Sequence, residues 1–83
     1  MKLSTKGRYA LIALVDLAQE SKGGRVNLGE ISDRQNISLA YLEQLFVKMR
    51  RAGVVESVRG PGGGYRLAQD PDAIRITTIL KAV

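Results

Sequence analysis

Between Arg59 and Tyr65 the chain reads Gly60-Pro61-Gly62-Gly63-Gly64, a run that no helix and no central strand can contain. Glycine gives up the most backbone freedom on ordering, and proline offers no N–H to a ladder. The run is therefore a loop, and its flanks say which kind. Val54–Arg59 and Tyr65–Leu67 are β-branched or aromatic runs, so the whole reads as a β-hairpin with a five-residue loop over 60–64. It is not a nucleotide loop. A Walker loop would end in Gly-Lys-Ser/Thr, whereas Gly64 is followed by Tyr65-Arg66. A dinucleotide fingerprint would need a third glycine at Tyr65 and a helix after it.

Upstream of the hairpin the period is helical. Leu42, Leu45, Phe46 and Met49 fall at i, i+3, i+4 and i+7 and make one apolar stripe. Ser38 caps this helix, which runs to about Ala52 with Gly53 at its exit. The opposite face carries Ala40, Tyr41, Glu43, Gln44, Lys48 and Arg51. Before it, Arg25-Val26 reads as a short extended piece, and Asn27 caps a helix from Leu28 to about Gln35 that buries Leu28 and Ile31. Asn36-Ile37-Ser38 is the turn between the two. Two helices joined so closely have the layout of a helix-turn-helix, with Ile31, Ile37 and Leu42 packing across the turn. Helix spacing alone fits a plain helical hairpin equally well. The hairpin directly after the third helix acts as a wing, and the fold class becomes mainly α with a small β-hairpin wing, a winged helix-turn-helix.

The remaining segments frame this unit. Ser4 or Thr5 caps a first helix in which Ala10, Leu14, Leu17 and Ala18 recur at helical spacing, while Leu11, Ile12 and Val15 add a second apolar side. Such a helix needs cover on more than one side, from this domain and from a further part of the chain or a partner. Ser21–Gly24 is a polar stop. Asp16 and Glu20, at i and i+4, read as a solvated acidic edge. Asp70-Pro71-Asp72 is a turn, and Thr77 is the expected cap of a last helix, Ile76–Val83, that stops inside its apolar pattern. The winged unit is thus expected over 1–76, and 77–83 as the truncated start of a linker or dimerisation helix. The apolar first helix and the interrupted last one both point to a fragment of a longer protein.

The chain has 13 basic and 8 acidic residues, a net charge of +5, and neither cysteine nor histidine. The first fact favours a polyanionic partner, because each phosphate neutralised by Lys or Arg releases a counterion. The second excludes disulfides, thiolate or imidazole metal ligands and His- or Cys-based catalysis from these residues. The carboxylates form no catalytic pair, so an enzyme has no support. Basic and polar residues interrupt the start of the chain, and the apolar stretch Tyr9–Val15 is too short to cross a bilayer. A soluble, cytoplasmic protein with no membrane partner is expected.

In a winged helix-turn-helix the second helix of the pair enters the major groove and presents its first turns to base edges. Here those side chains are Ser38, Ala40, Tyr41, Glu43 and Gln44. Gln pairs with adenine and Glu accepts from the cytosine amino group. In the wing, Gly60, Pro61, Gly62, Gly63 and Gly64 let backbone approach a phosphate, and Arg59 at the loop's mouth can enter a minor groove. Thr5, Lys6, Arg8, Lys48, Arg50 and Arg51 are candidate phosphate contacts. The competing reading is a winged-helix protein–protein interaction module, for which a basic wing with Arg59 and Arg66 is ill suited.

Three separated blocks carry a resemblance: Ser4-Thr5-Lys6-Gly7-Arg8-Tyr9-Ala10, then Ile37 through Phe46, then Val58-Arg59-Gly60-Pro61-Gly62-Gly63-Gly64-Tyr65. In this order they are similar to the Rrf2 family of bacterial transcription regulators, over essentially the whole chain. The resemblance implies a homodimer on near-palindromic double-stranded DNA. It implies a repressor or activator of genes for iron–sulfur cluster assembly, cysteine metabolism or nitric oxide response. It places the positions of Ser38, Ala40, Tyr41, Glu43 and Gln44 on the recognition helix, gives Glu43 a part in choosing the class of site, and sends Arg59 into the minor groove. It also implies, after the wing, three cysteines and a further ligand holding a 2Fe–2S cluster, and a long dimerisation helix. Any such cluster in the parent protein would be bound beyond Val83.

Overall fold

The computed structural model describes residues 3–21 and 24–83. Helix α1, Thr5–Ser21, starts where Ser4 turns its hydroxyl back to accept the Gly7 N–H at 3.0 Å. This satisfies one of the donors that every helix start leaves free. Of the polar stop expected over 21–24, Lys22 and Gly23 lie outside the described residues, as do Met1 and Lys2 at the start of the chain. Helix α2, Leu28–Gln35, is capped by Asn27, whose Oδ1 accepts the Gly29 N–H at 2.6 Å. It ends on Asn36, which sits in the left-handed region at φ 54°. The Ser32 hydroxyl then donates to the Ile37 carbonyl at 2.6 Å and closes the turn. Ser38 accepts from the Tyr41 N–H and opens α3, Leu39–Arg51.

Leu42, Leu45, Phe46 and Met49 form the buried stripe of α3. They meet Ala10, Ala13, Leu14 and Leu17 of α1 and Leu28 and Ile31 of α2 in one core. Ile37 is buried between the two helices of the pair, as the spacing requires. The winged helix-turn-helix expected from the sequence is the fold observed.

The hairpin is shorter than expected. Strand β1 is Val55–Ser57 and β2 is Tyr65–Leu67, antiparallel, with Val55 opposite Leu67 and Ser57 opposite Tyr65. Val54 is lost to the strand because its N–H closes the end of α3 on the Met49 carbonyl at 3.0 Å. At the other end, the Val58 N–H reaches the Gly64 carbonyl at 2.9 Å, so the loop proper starts at Arg59 and ends at Gly63. The extended piece at Arg25-Val26 adds a third line of pairing: Val26 and Tyr65 exchange both backbone hydrogen bonds at 2.9 Å.

Two further expectations are corrected. Thr77 does not cap the last helix. A 3₁₀ turn, Pro71–Ala73, delivers the chain to Arg75, whose carbonyl accepts from Thr78 and Ile79. Helix α4, Ile76–Ala82, therefore begins before Thr77. It lies across α1 with Ile79 buried, and a Cβ on Gly7 would stand 2.8 Å from Leu80 Cδ2, so a larger residue there would push the Leu80 side chain aside. No helix among the described residues is long and apolar enough to cross a membrane.

The second correction concerns Asp16, which is not part of a solvated edge. It is 3% exposed and accepts from Arg34 Nε at 3.0 Å, Arg34 Nη2 at 2.7 Å and Gln35 Nε2 at 2.9 Å. Helical spacing puts Asp16 and Glu20 on one face but does not say that α2 docks there. Arg34 also lies 4.0 Å from Glu20 and 3.8 Å from Glu30. The Arg34 hydrogen bonds hold the Asp16 carboxyl below its ordinary value of 3.8, burial opposes them, and Gln35 adds to the lowering.

Asp16→Asn is expected to cost roughly 2 kcal/mol in urea unfolding at pH 7. This is less than the loss at a fully enclosed pair, because Arg34 keeps 36% of its side chain in water. A depressed carboxyl stabilises the fold above its unfolded pKa, and that contribution fades as pH falls through the folded pKa. Wild type and variant should therefore converge in stability as pH falls below the lowered Asp16 pKa. A gap that persists there would mean the ion pair is not what Asp16 contributes.

Candidate nucleic-acid interface

The outward face of α3 presents Ala40, Glu43 and Gln44, all exposed. Glu43 is the only acidic residue of this helix. Two other predicted base readers are partly engaged. Ser38 is exposed, but its hydroxyl serves as the N-cap. Tyr41 is half-buried, its ring edge-on to Tyr9 with centroids 5.7 Å apart. That pairing fixes the tyrosine at the cost of reach, since edge-to-face rings hold one another in place.

The tyrosine pair joins two regions that the sequence treated separately. Thr5, Tyr9, Asn36, Ile37, Ser38 and Tyr41 line one open groove of about 500 Å³, which brings the first turns of α1 and α3 together. Both helix starts carry the positive end of a peptide dipole and unpaired N–H groups. Lys6 and Arg8 are exposed beside Thr5, and the Arg8 guanidinium lies 5.7 Å from the Tyr9 ring centroid. Lys48, Arg50 and Arg51 are not among the residues of that groove. They occupy the last turn of α3, which at 1.5 Å per residue lies about 15 to 20 Å from Ser38 along the axis. The six predicted phosphate contacts thus form two groups, one at each end of α3.

A second groove, about 420 Å³, runs between α3 and the wing and includes Asn27, Gly29, Leu39, Glu43, Gly64 and Tyr65. Glu43 and the base of the wing therefore share one cleft. Tyr65 lines it and packs on the buried Phe46, with ring centroids 5.0 Å apart. Of the wing arginines, Arg66 is paired across the strands with Glu56, whereas Arg59 is exposed and meets no carboxylate among the described residues. The sequence treated both as free wing charge, and only Arg59 is.

Sequence reasoning missed two residues here. The Arg25 guanidinium donates through Nη2 to the Pro61 carbonyl, and Asn27 Nδ2 donates to the Gly62 carbonyl at 3.1 Å. A period-two signal was available. If residue 26 pairs with a strand and its side chain is buried, residues 25 and 27 point together to the other side. A 2Fe–2S cluster of the kind the resemblance implies has no fit to this chain. The chain has no cysteine or histidine, and no cluster of candidate ligands occurs among the described residues.

Comparison with known proteins gives a consistent answer. The Rrf2 family model, described as an iron-dependent transcriptional regulator, matches residues 3–83. The HTH-type transcriptional regulator IscR of Cereibacter sphaeroides is 66% identical over 85 residues, covering 100% of this chain and 55% of that protein. The protein of the same name from Aliivibrio salmonicida is 58% identical over 83 residues, 100% of this chain and 49% of the relative. The chain thus spans about half the length of the curated relatives it matches. Among solved structures, T. potens IscR superposes with a TM-score of 0.90 at 47% identity, over 100% of this chain and 61% of that one. CymR, the global cysteine regulator of B. subtilis, gives 0.91 at 44% identity, over 99% of this chain and 64% of that one.

The wing glycines differ in what they tolerate. Gly64 has φ 135°, and a Cβ there would stand 3.0 Å from the Val26 carbonyl oxygen, which is already paired. Gly63 has φ 56° with open space around it, a conformation that asparagine adopts at little cost. Gly64→Ala is expected to cost about 2 kcal/mol or more in thermal unfolding, and Gly63→Asn under about 1 kcal/mol. Equal costs would show that contact with Val26 does not set the wing's position.

Proposed function

The chain belongs to the Rrf2 family, and on that premise we propose that it is the DNA-reading part of a bacterial, cytoplasmic transcription regulator specific for double-stranded operator sequences. The observation that carries this reading is the cleft shared by Glu43 of α3 and the wing base at Gly64 and Tyr65. It aligns the outward face of a recognition helix with a wing whose Arg59 is free. In this reading Ala40, Glu43 and Gln44 read base edges in the major groove, with Ser38 and Tyr41 at its margin. Arg59 enters the adjacent minor groove, and the backbone of residues 60–64 approaches the phosphates. Thr5, Lys6 and Arg8 hold the backbone at one end of α3, and Lys48, Arg50 and Arg51 hold it at the other.

The names of the relatives support control of genes for iron–sulfur cluster or related sulfur and iron metabolism. A cluster, if the whole regulator carries one, is bound by residues outside this chain. We further propose a homodimer on a near-palindromic operator, since a two-fold protein imposes its symmetry on the site it reads. The support is an apolar groove of about 220 Å³ along Leu11, Leu14, Val15 and Ala18 of α1 and Ile76 and Ile79 of α4. Val15 and Ile76 are left 56% and 57% exposed along it, and a second copy is the occupant we assign.

Titration of a duplex enriched from a randomised pool by the wild-type chain, against random duplex, tests this. Specific binding should weaken with salt by about 0.9 in log–log slope per phosphate neutralised. Arg8→Ala should reduce that slope by about one and leave site preference intact. Glu43→Ala should relax preference at one base pair by about 1–3 kcal/mol with a smaller change in overall affinity. Arg59→Ala should weaken binding chiefly where the minor groove is narrow. Equal affinity for both duplexes at every salt would sink the reading, and salt-independent capture of a protein instead would favour an interaction module.

A further inference from the structure

Residues 25–27 form a brace along the wing. Val26 is buried and paired through its backbone with Tyr65, so the side chains on either side of it point to the loop. Arg25 lies along the glycines. A Cβ on Gly60 would stand 3.1 Å from its Nη1, and one on Gly64 would stand 3.3 Å from its Cδ. The missing side chains of the loop are thus the seat of the Arg25 stem and guanidinium, which ends on the Pro61 carbonyl. Asn27 divides its amide between two elements. Oδ1 caps α2, and Nδ2 holds the Gly62 carbonyl.

We infer that Arg25 and Asn27 are wing-positioning residues: they fix the glycine loop in the unbound protein and thereby set the position from which Arg59 is offered to DNA. The role rests on the DNA-binding reading above. Its physical basis is conformational entropy. Each backbone unit ordered costs on the order of 1–2 kcal/mol, and glycine has the most freedom to lose. A loop with four glycines that ordered only on binding would forfeit affinity, whereas one ordered in advance does not. The loop's internal hydrogen bond, Gly63 N–H to the Gly60 carbonyl at 3.0 Å, cannot locate it relative to α3. The brace does so, because Asn27 joins the tip of the wing to the first helix of the helix-turn-helix. Arg25 also carries a second cation to that tip, supplied from outside the hairpin.

Asn27→Ser separates the two functions of the amide. Serine still caps α2 but is too short to reach Gly62. Combined with Arg25→Lys, it leaves net charge unchanged. In the unliganded chain the amide order parameters of Gly60, Gly62, Gly63 and Gly64, measured by nitrogen-15 relaxation, should fall from about 0.85 to below about 0.6 in the double variant. Affinity for the enriched duplex should fall roughly tenfold, and this loss should vanish when both changes are made in an Arg59→Ala background. Arg25→Lys alone leaves the cap untouched and should give a smaller loss in the same direction. An unchanged loop would overturn the brace, and an equal affinity loss with and without Arg59 would overturn positioning as its role. Wild-type chain that fails to prefer the enriched duplex would overturn the functional reading and the positioning role with it, while the relaxation data would still decide the brace.

Discussion

Tyr65 is where the wing becomes part of the domain. Its backbone pairs with Ser57 on one side and exchanges two hydrogen bonds with Val26 on the other, and its ring packs on Phe46. A two-stranded hairpin is marginal in water by itself. With three residues in each strand this one holds because Tyr65 ties it to a third segment and to the fully buried Phe46 of α3. Val54 and Val55, both buried, carry the same core out of α3 and into β1. The helix and the wing consequently share one set of buried side chains.

Asp16 does for the helix-turn-helix what Tyr65 does for the wing. Its carboxylate takes three donors from the last two residues of α2, immediately before the turn at Asn36. The turn is short and internally bonded through Ser32 and Ile37, so fixing the end of α2 on α1 also fixes where α3 begins. The edge-on contact of Tyr9 with Tyr41 adds a second tie between α1 and the start of α3. A domain built this way has little internal freedom between α3 and the wing.

The parts of this design written in local signals were legible. Asn27 and Ser38 stand where caps belong, the stripe from Leu42 to Met49 has helical spacing, and the glycine run can only be a loop. These depend on residues a few positions apart, where backbone geometry alone relates side chains. The parts written in contacts between elements were not. Asp16 meets Arg34 across 18 positions and Arg25 meets Pro61 across 36. Periodicity assigns a residue to a face of its own element but does not say what docks there, so Asp16 read as a solvated edge and Arg25 only as part of a short extended piece. The same limit made Thr77 an attractive cap, although the 3₁₀ turn before Arg75 had already set the helix start. Shared Arg66 and Glu56 likewise needed the strand register before one wing charge could be set aside.

The placement of charge gives Glu43 a particular standing. Asp16, Glu20 and Glu30 gather around Arg34, and Glu56 is matched to Arg66. Glu43, by contrast, is the one carboxylate on α3, in the cleft beside the wing. On the proposed reading this side chain faces polyanionic DNA, where a negative charge opposes binding at every sequence. Only a base edge that donates to it, an exocyclic amino group such as that of cytosine, offsets that repulsion. A carboxylate in this position therefore contributes by rejecting sites more than by gaining contacts at the right one. On the same reading, Lys6, Arg8 and Arg59 supply the general attraction that lets such a discriminating residue be tolerated.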